Sequence, residues 1–97
     1  MYTAIRQGKA KAGSAEELAR RTNEGAIPII SSMPGFQAYY MVYADDDTVT
    51  TVSVFEDQAA AEECNRRIMD WIRQNLGPLL VSPPVATAGQ VIVHKAG

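Results

Sequence analysis

The stretch PGFQAYYMVYADDDTVTTVSVFED, from Pro34 to Asp57, decides the fold that the sequence predicts. Two of its segments, 36–44 and 48–55, are rich in aromatic and β-branched residues, and three aspartates separate them. This pattern predicts two strands joined as a hairpin. Apolar side chains stand at both odd and even positions, and successive side chains of a strand point to opposite faces. The hairpin therefore predicts a sheet that is apolar on both faces.

A helix is predicted on the upstream side of the hairpin. Ser14 and Glu17 have the spacing of a capping box, in which the serine hydroxyl caps the first turn. The residues that follow form an apolar stripe and a charged stripe at helical spacing. Gly25 and Pro28 weaken the second half, because proline lacks an amide donor, so we expect a bent helix there.

A second helix is predicted on the downstream side, where Asp57 has the position and the chemistry of an N-cap. Apolar residues then recur at helical spacing, namely Ala61, Cys64, Ile68, Trp71, Ile72 and Leu76. The pair Gly77 and Pro78 predicts its end. Residues 1–9 and 91–94 predict the first and the last strand.

The order of these elements predicts an α+β fold. Strand, helix, strand, strand, helix and strand make up the ferredoxin-like βαββαβ pattern, with a four-stranded antiparallel sheet in a single domain over residues 1–97. Right-handed crossovers place both helices on one face of that sheet. The other face is apolar and larger than the patches that monomers expose, so we predict a homodimer through the sheet face. The alternative is a monomer with a solvated face of tyrosines and threonines.

Composition and charge narrow the classes of function. Hydrophobic residues make up 46% and charged residues 21% of the 97 residues, which indicates a globular chain with a core. The net charge of -2 and the scattered basic residues predict no nucleic acid partner. No segment resembles a signal peptide or a membrane span, so we expect no membrane partner and a cytoplasmic location. Cys64, the only cysteine, is interpreted as a small buried hydrophobe, with a reactive thiol as the alternative.

Three segments, MPGFQAYYMVY, TVSVFEDQAAAEE and GQVIVHK, are similar to the antibiotic biosynthesis monooxygenase family of dimeric α/β barrels. The resemblance implies two ferredoxin-like sheets packed face to face, with a pocket between helices and sheet in each subunit. In the branch that oxidises quinols and polyketides, the pocket works without metal, flavin or heme. The resemblance thus implies a cofactor-independent monooxygenase acting on a small aromatic or quinol-like substrate. The alternative is a non-catalytic, small-ligand-binding or stress-associated dimeric scaffold.

A related branch of the family degrades heme with an asparagine on the first strand and a tryptophan and a histidine on the second helix. Trp71 fits the tryptophan, but Arg6 and Gln7 stand on the first strand and the second helix has no histidine. We therefore expect no heme. The resemblance to the cofactor-independent branch implies no other cofactor. We also expect no metal at Asp45 to Asp47, because adjacent carboxylates on a tight turn point apart.

Three residues are candidates for catalysis. Arg6 on the first strand is interpreted as an anchor for an anion or phenolate, or else as a member of a strand-edge ion pair. Trp71 is interpreted as a pocket wall for a flat ligand, or else as a core residue. His94, the only histidine, is a natural general base near neutral pH, or else an exposed residue beside the C-terminus.

Five residues are candidates for binding the substrate. They are Tyr39, Tyr40, Tyr43, Thr22 and Asn23. By alternation Tyr40 lies on the face opposite Tyr39 and Tyr43, so at most one set lines the pocket and the other belongs to the dimer interface. Thr22 and Asn23 lie at or beside the buried stripe of the first helix. Their side chains are expected to hydrogen-bond either a ligand or their own backbone.

Overall fold

The computed structural model describes residues 1–97 and has the predicted ferredoxin-like architecture. The strands are β1 (Tyr2–Lys9), β2 (Phe36–Tyr43), β3 (Thr48–Phe55) and β4 (Val85–Gln90). The helical segments are α1 (Ala15–Arg21), a π-helix (Thr22–Ala26), α2 (Ile27–Ser31), α3 (Gln58–Asn75) and a 3-10 turn (Gly77–Leu79). The predicted first strand, hairpin and second helix are confirmed within one or two residues at each end.

The strands form one antiparallel sheet in the order β2-β3-β1-β4. In β3 the residues that face the helices are buried, whereas their neighbours on the other face are partly exposed. The helices thus cover one face only, as the sequence predicts. Strand β1 is interior, paired with β3 on one side and β4 on the other, so its side chains toward the helices are enclosed.

Helix α3 is the longest element and supplies much of the core. The carboxylate of Asp57 accepts a hydrogen bond from the Ala60 amide at 2.9 Å, which confirms the predicted N-cap. Its buried residues are Ala61, Cys64, Ile68 and Ile72. None of the helices combines the length and the apolar character that crossing a bilayer requires.

The first helical region is continuous but changes its winding. Ser14 occupies the N-cap position, yet its hydroxyl makes no capping bond, so the predicted capping box is wrong. After α1 the backbone widens into a π-helix and then returns to α-helical geometry in α2. The sequence predicts a bend near Gly25, and the structure has a π-helix there. Thr22 and Ala26 of this segment are buried toward the sheet.

The fourth strand differs from the prediction. The β-prone residues Val91 to His94 form no strand, and β4 consists instead of Val85–Gln90. Pairing with β1 sets these bounds, because Gln90 lies opposite Tyr2 and the Val91 amide already bonds the Met1 carbonyl at 2.9 Å. The chain beyond Val91 has run past the end of its partner strand. Ile92 and Val93 are consequently exposed.

Asp45 to Asp47 form the turn of the hairpin, as predicted. Asp46 accepts a hydrogen bond from the Thr48 amide at 3.1 Å, and hydrogen bonds from Thr48 together with nearby Lys9 lower the pKa of the Asp46 carboxyl. Asp47 has a φ of 67° and accepts from the Tyr43 hydroxyl. The carboxylates thus serve separate local contacts, and no group of three or more acidic, histidine or cysteine residues is arranged to hold a metal ion.

The sheet face without helices is called the open face below. It carries the apolar side chains of Ile5, Ala38, Tyr40, Val42, Val52, Val54 and Val85. Tyr40 is 59% exposed and Val42 is 56% exposed, values far above those of the core. Within this chain nothing covers the open face.

Candidate active site

A cavity lies between the sheet and the helices, and it is called the central cavity below. Ten of its fifteen lining residues are hydrophobic, so it offers a ligand a largely apolar surface. The π-helix, α3 and strands β1 to β3 all contribute to the lining. Its polar side chains are Arg6, Thr22, Tyr39 and Thr51.

The central cavity is small in this conformation. Its volume is about 40 Å³, whereas an apolar cavity that accepts a benzene ring measures roughly 150 Å³. A few water molecules fit, but an aromatic ring does not. A flat ligand therefore has to displace part of the wall as it enters.

Arg6 is the only charged residue in the lining and the largest fully buried side chain, at 2% exposure. Its Nε donates to Thr51 Oγ1 at 2.8 Å and its Nη2 donates to Ser53 Oγ at 2.7 Å. Its Nη1 donates to Asn65 Oδ1 at 3.0 Å and contacts Cys64 Sγ at 3.7 Å. None of these partners is a carboxylate.

No carboxylate balances the charge of Arg6. The five other arginines, at positions 20, 21, 66, 67 and 73, each pair with an aspartate or glutamate on the surface. Arg6 has no such partner, and its strand lies inside the sheet. The interpretation as a strand-edge ion pair is therefore wrong. What remains is a buried cation beside an apolar cavity, an arrangement that is costly without a compensating anion.

Tyr39 brings a phenol next to this cation. Burial raises the pKa of the Tyr39 hydroxyl, although the charge of Arg6 and hydrogen bonding with Thr51 act in the opposite direction. Tyr39 is therefore a neutral phenol at physiological pH and does not serve as a counter-ion for Arg6. It can donate its hydroxyl hydrogen to a ligand oxygen.

Trp71 forms the wall through which the central cavity faces the surface. It is partly exposed and lines both the cavity and a shallow outer groove with Arg21, Glu24, Gly25 and Asn75. Gly25 of the π-helix lies directly against the indole, and a Cβ there would stand 2.4 Å from Cζ2. The indole thus fits only because residue 25 has no side chain. Trp71 packs on the core and also lines the cavity, and its role as a wall for a flat ligand stays a prediction.

The remaining candidates divide clearly. Thr22 is buried and lines the central cavity, whereas Asn23 beside it is exposed. Tyr40 lies on the open face, as alternation predicts. Tyr43 shares the helix side with Tyr39 but lies outside the lining, and its hydrogen bond to Asp47 raises the pKa of its hydroxyl. His94 is exposed beyond β4, and the structure does not bring it to the cavity.

Sequence reasoning missed the groups that hold Arg6. Thr51, Ser53 and Asn65 lie 45 to 59 positions away from it along the chain. One signal was present, because Thr51 and Ser53 are polar residues on the same face of β3 as Val49 and Phe55. Two hydroxyls on an otherwise apolar buried face indicate a buried polar partner.

A mainly apolar cavity with one cation and one phenol can bind a flat apolar molecule and orient a polar oxygen on it. Residues 1–66 match the model of the family described as antibiotic biosynthesis monooxygenase. The chain belongs to that family. The matched residues include Arg6 and Tyr39 but end before Trp71 and β4. No curated protein sequence matched the chain.

Solved structures with the fold of this antibiotic biosynthesis monooxygenase domain include proteins with and without a stated function. A protein of unknown function from Nitrosomonas europaea is 22% identical, with a TM-score of 0.77, over 99% of this chain and 93% of that one. A monooxygenase from the gene ActVA-Orf6 of Streptomyces coelicolor, in complex with nanaomycin D, is 18% identical, with a TM-score of 0.77, over 99% and 91%. A mutant of MhuD with two manganese protoporphyrin IX molecules per active site is 16% identical, with a TM-score of 0.75, over the whole of both chains. At these identities the likeness concerns the fold.

Proposed function

We propose that the central cavity binds a small aromatic or quinol-like molecule and that the protein oxygenates it with dioxygen and no cofactor. The observation that carries the proposal is a mainly apolar cavity in which Arg6, Tyr39 and Thr51 lie close together. Such a cavity excludes water from a reactive ring and fixes the position of its oxygen. Family membership and the nanaomycin D complex of a similar fold support the same class of ligand.

Each cavity residue has a role in this proposal. Trp71 forms a flat wall for the ring, and Thr22 adds a hydroxyl at the helix side. Arg6 and Tyr39 hold the oxygen of the substrate through charge and hydrogen bonding. His94 has no role, because it is exposed beyond β4.

The net reaction balances without an added reductant. A phenol whose ring carbon bears hydrogen loses four electrons to dioxygen and becomes a quinone. One oxygen atom enters the ring as a carbonyl, and the other leaves as water with the ring hydrogen and the phenolic hydrogen. The substrate is therefore the reductant, and the cavity has to supply only position, dryness and a stabilised oxygen.

One observation favours the alternative, a non-catalytic dimeric scaffold that binds a small ligand. The lining contains no aspartate, glutamate or histidine, and Tyr39 is held in its neutral form. The cavity therefore lacks a strong general base. In the enzyme proposal the substrate has to lose its first proton to water before or during binding.

Oxygen consumption with a panel of hydroquinones and hydroxynaphthoquinols tests the proposal. We expect uptake by the wild type, a large loss in Trp71→Ala and Arg6→Gln, and unchanged uptake in Arg66→Gln. Arg66 is an exposed arginine paired with Glu63, so its substitution removes the same charge away from the cavity. Binding without uptake, detected through the emission of Trp71 as the only tryptophan, would favour the scaffold. Uptake that is equal in the wild type and in both cavity variants would refute the site.

We also propose that two copies associate through the open face. The face is nearly free of charge, so two identical faces meet without like charges in opposition. Its polar groups are partly satisfied within the chain, since Gln7 Nε2 donates to Thr50 Oγ1 at 2.9 Å. Burial of its exposed valines and of Tyr40 stabilises such a contact.

A further inference from the structure

We infer that the ligand of the central cavity binds as an anion whose charge rests on a single oxygen, as in an acidic phenol or enol, and not as a carboxylate. The inference rests on the proposed function of the cavity as a ligand site. To that function the inference adds two properties of the ligand, namely its charge and the number of oxygens that carry the charge.

The first step concerns charge. Arg6 is 2% exposed, and its protein partners are two hydroxyls, an amide oxygen and a cysteine sulfur, with no carboxylate among them. Desolvating a cation without an anion is costly, and an anionic ligand removes that imbalance. A neutral ligand of the same shape leaves it in place. Tyr39 from β2 and Cys64 from α3 are the titratable groups beside Arg6, and neither brings a carboxylate.

The second step concerns geometry. A guanidinium has five N–H donors. Four of them are engaged by Thr51, Ser53, Asn65 and Cys64, which leaves one N–H, on Nη2. A carboxylate binds arginine best through two parallel N–H bonds, and these are already taken by the protein. One free N–H suits one oxygen.

The third step concerns Tyr39. Burial raises the pKa of its hydroxyl and keeps it protonated, although nearby Arg6 and Thr51 act in the opposite direction. It therefore supplies an O–H donor beside the free N–H of Arg6, and the two donors converge on one oxyanion. A ligand that is bound as an anion near neutral pH is more acidic than tyrosine.

Three one-ring probes separate these properties. 4-Nitrophenolate carries a single charged oxygen, 4-nitrobenzoate carries two, and 4-nitroanisole is a neutral compound of similar shape. Isothermal titration on the wild type, at a pH where the first two are ionised, gives the three affinities. We expect 4-nitrophenolate to bind at least about tenfold more tightly than either of the others, as one hydrogen bond to a charged group provides. Its affinity should rise with pH through the ionisation of the probe and then level off.

Arg6→Gln tests the origin of the preference, with Arg66→Gln as the control of equal charge change. We expect Arg6→Gln to bind 4-nitrophenolate no better than 4-nitroanisole, while the control keeps the wild-type preference. Circular dichroism establishes that each variant is folded. Should Arg6→Gln fail to fold, the three affinities of the wild type still decide the matter.

The outcomes are distinct. Equal binding of phenolate and anisole would overturn the inference and leave the cavity as a neutral ligand site. Tighter binding of 4-nitrobenzoate would overturn the conclusion that the charge of the ligand rests on a single oxygen. Failure of all three probes to change the emission of Trp71 or to release heat would refute the proposed function and the inference together.

Discussion

At the scale of single residues, Gly25 controls the wall of the central cavity. The indole of Trp71 lies against it at a distance that leaves no room for a methyl group. A π-helix in place of an α-helix brings residue 25 to this point, and such segments are frequent at functional sites. Because an aromatic ring exceeds the cavity of about 40 Å³, displacement of Trp71 is the simplest way to admit one.

Gly25→Ala is expected to push the indole outward, since the cavity is too small to receive it. Overpacking costs roughly 1–3 kcal/mol and the gain in helix propensity returns about 1 kcal/mol, so the free energy of unfolding should fall by about 1 kcal/mol. Urea denaturation measures the loss, and a red shift of Trp71 emission reports the exposure. Gly77→Ala is the control, because no atom lies within 4 Å of a Cβ there. Equal stability and emission in both variants would contradict the close fit.

Tyr39 gives the protein a dependence on alkaline pH. Its pKa is raised in the folded state by burial. The stability linked to it is complete below the pKa of the unfolded chain, about 10, and is lost as pH rises through the folded pKa. Tyr39→Phe removes this linkage, so its free energy of unfolding should fall less steeply above pH ~10 than that of the wild type. Urea denaturation at a series of alkaline pH values checks the slopes, and parallel curves would disprove the linkage.

At the scale of elements, helix α3 begins where Asp57 accepts the Ala60 amide. Asp57→Ala leaves that amide without its partner and is expected to lower the free energy of unfolding by about 1 kcal/mol. Asp57→Asn keeps an acceptor oxygen and loses only the favourable charge at the helix N-terminus, so a smaller loss is expected. Urea denaturation at neutral pH compares the two. A loss in Asp57→Asn as large as that in Asp57→Ala would show that charge, and not capping, matters here.

Elements with strong local signals could be predicted from the sequence, and β4 could not. The hairpin and α3 carry regular apolar spacing, turn residues and a cap, all of which act over a few positions. The segment Val85–Gln90 contains alanine and glycine and has low strand propensity. Its pairing with β1 overrides that propensity, while Val91 to His94 has the propensity but no partner strand.

The polar end of the central cavity was predictable only in part. Arg6, Trp71, Tyr39 and Thr22 could be named because their residue types and faces are visible in the sequence. The absence of a carboxylate near Arg6 depends on three separate elements, β1, β3 and α3, and local patterns do not contain that information. His94 was named as a candidate from its residue type alone, because the sequence does not show that it lies outside the cavity.

At the scale of the whole molecule, one layer of helices covers only one of the two apolar faces of the sheet. The core on the helix side includes Phe55, Leu18 and Ile30, all with almost no exposure. The open face has comparable residue types at its strand centres and no cover within the chain. A second copy would turn this arrangement into a symmetric sandwich of two sheets with the cavities on the outside.

Val42→Lys tests this assembly on the edge strand β2 of the open face. Val42 is 56% exposed in the single chain and would be buried twice in a two-fold dimer, because each copy contributes one. Losing about 1.5–3 kcal/mol per valine, and burying a lysine charge on each copy, should weaken the dimer by a hundredfold or more. Sedimentation equilibrium at micromolar concentration should give a dimer for the wild type and a monomer for the variant. Gln74→Lys adds the same charge on the exposed side of α3 and should remain a dimer. A wild type that sediments as a monomer would rule out the association, and a dimeric Val42→Lys would move it to another surface.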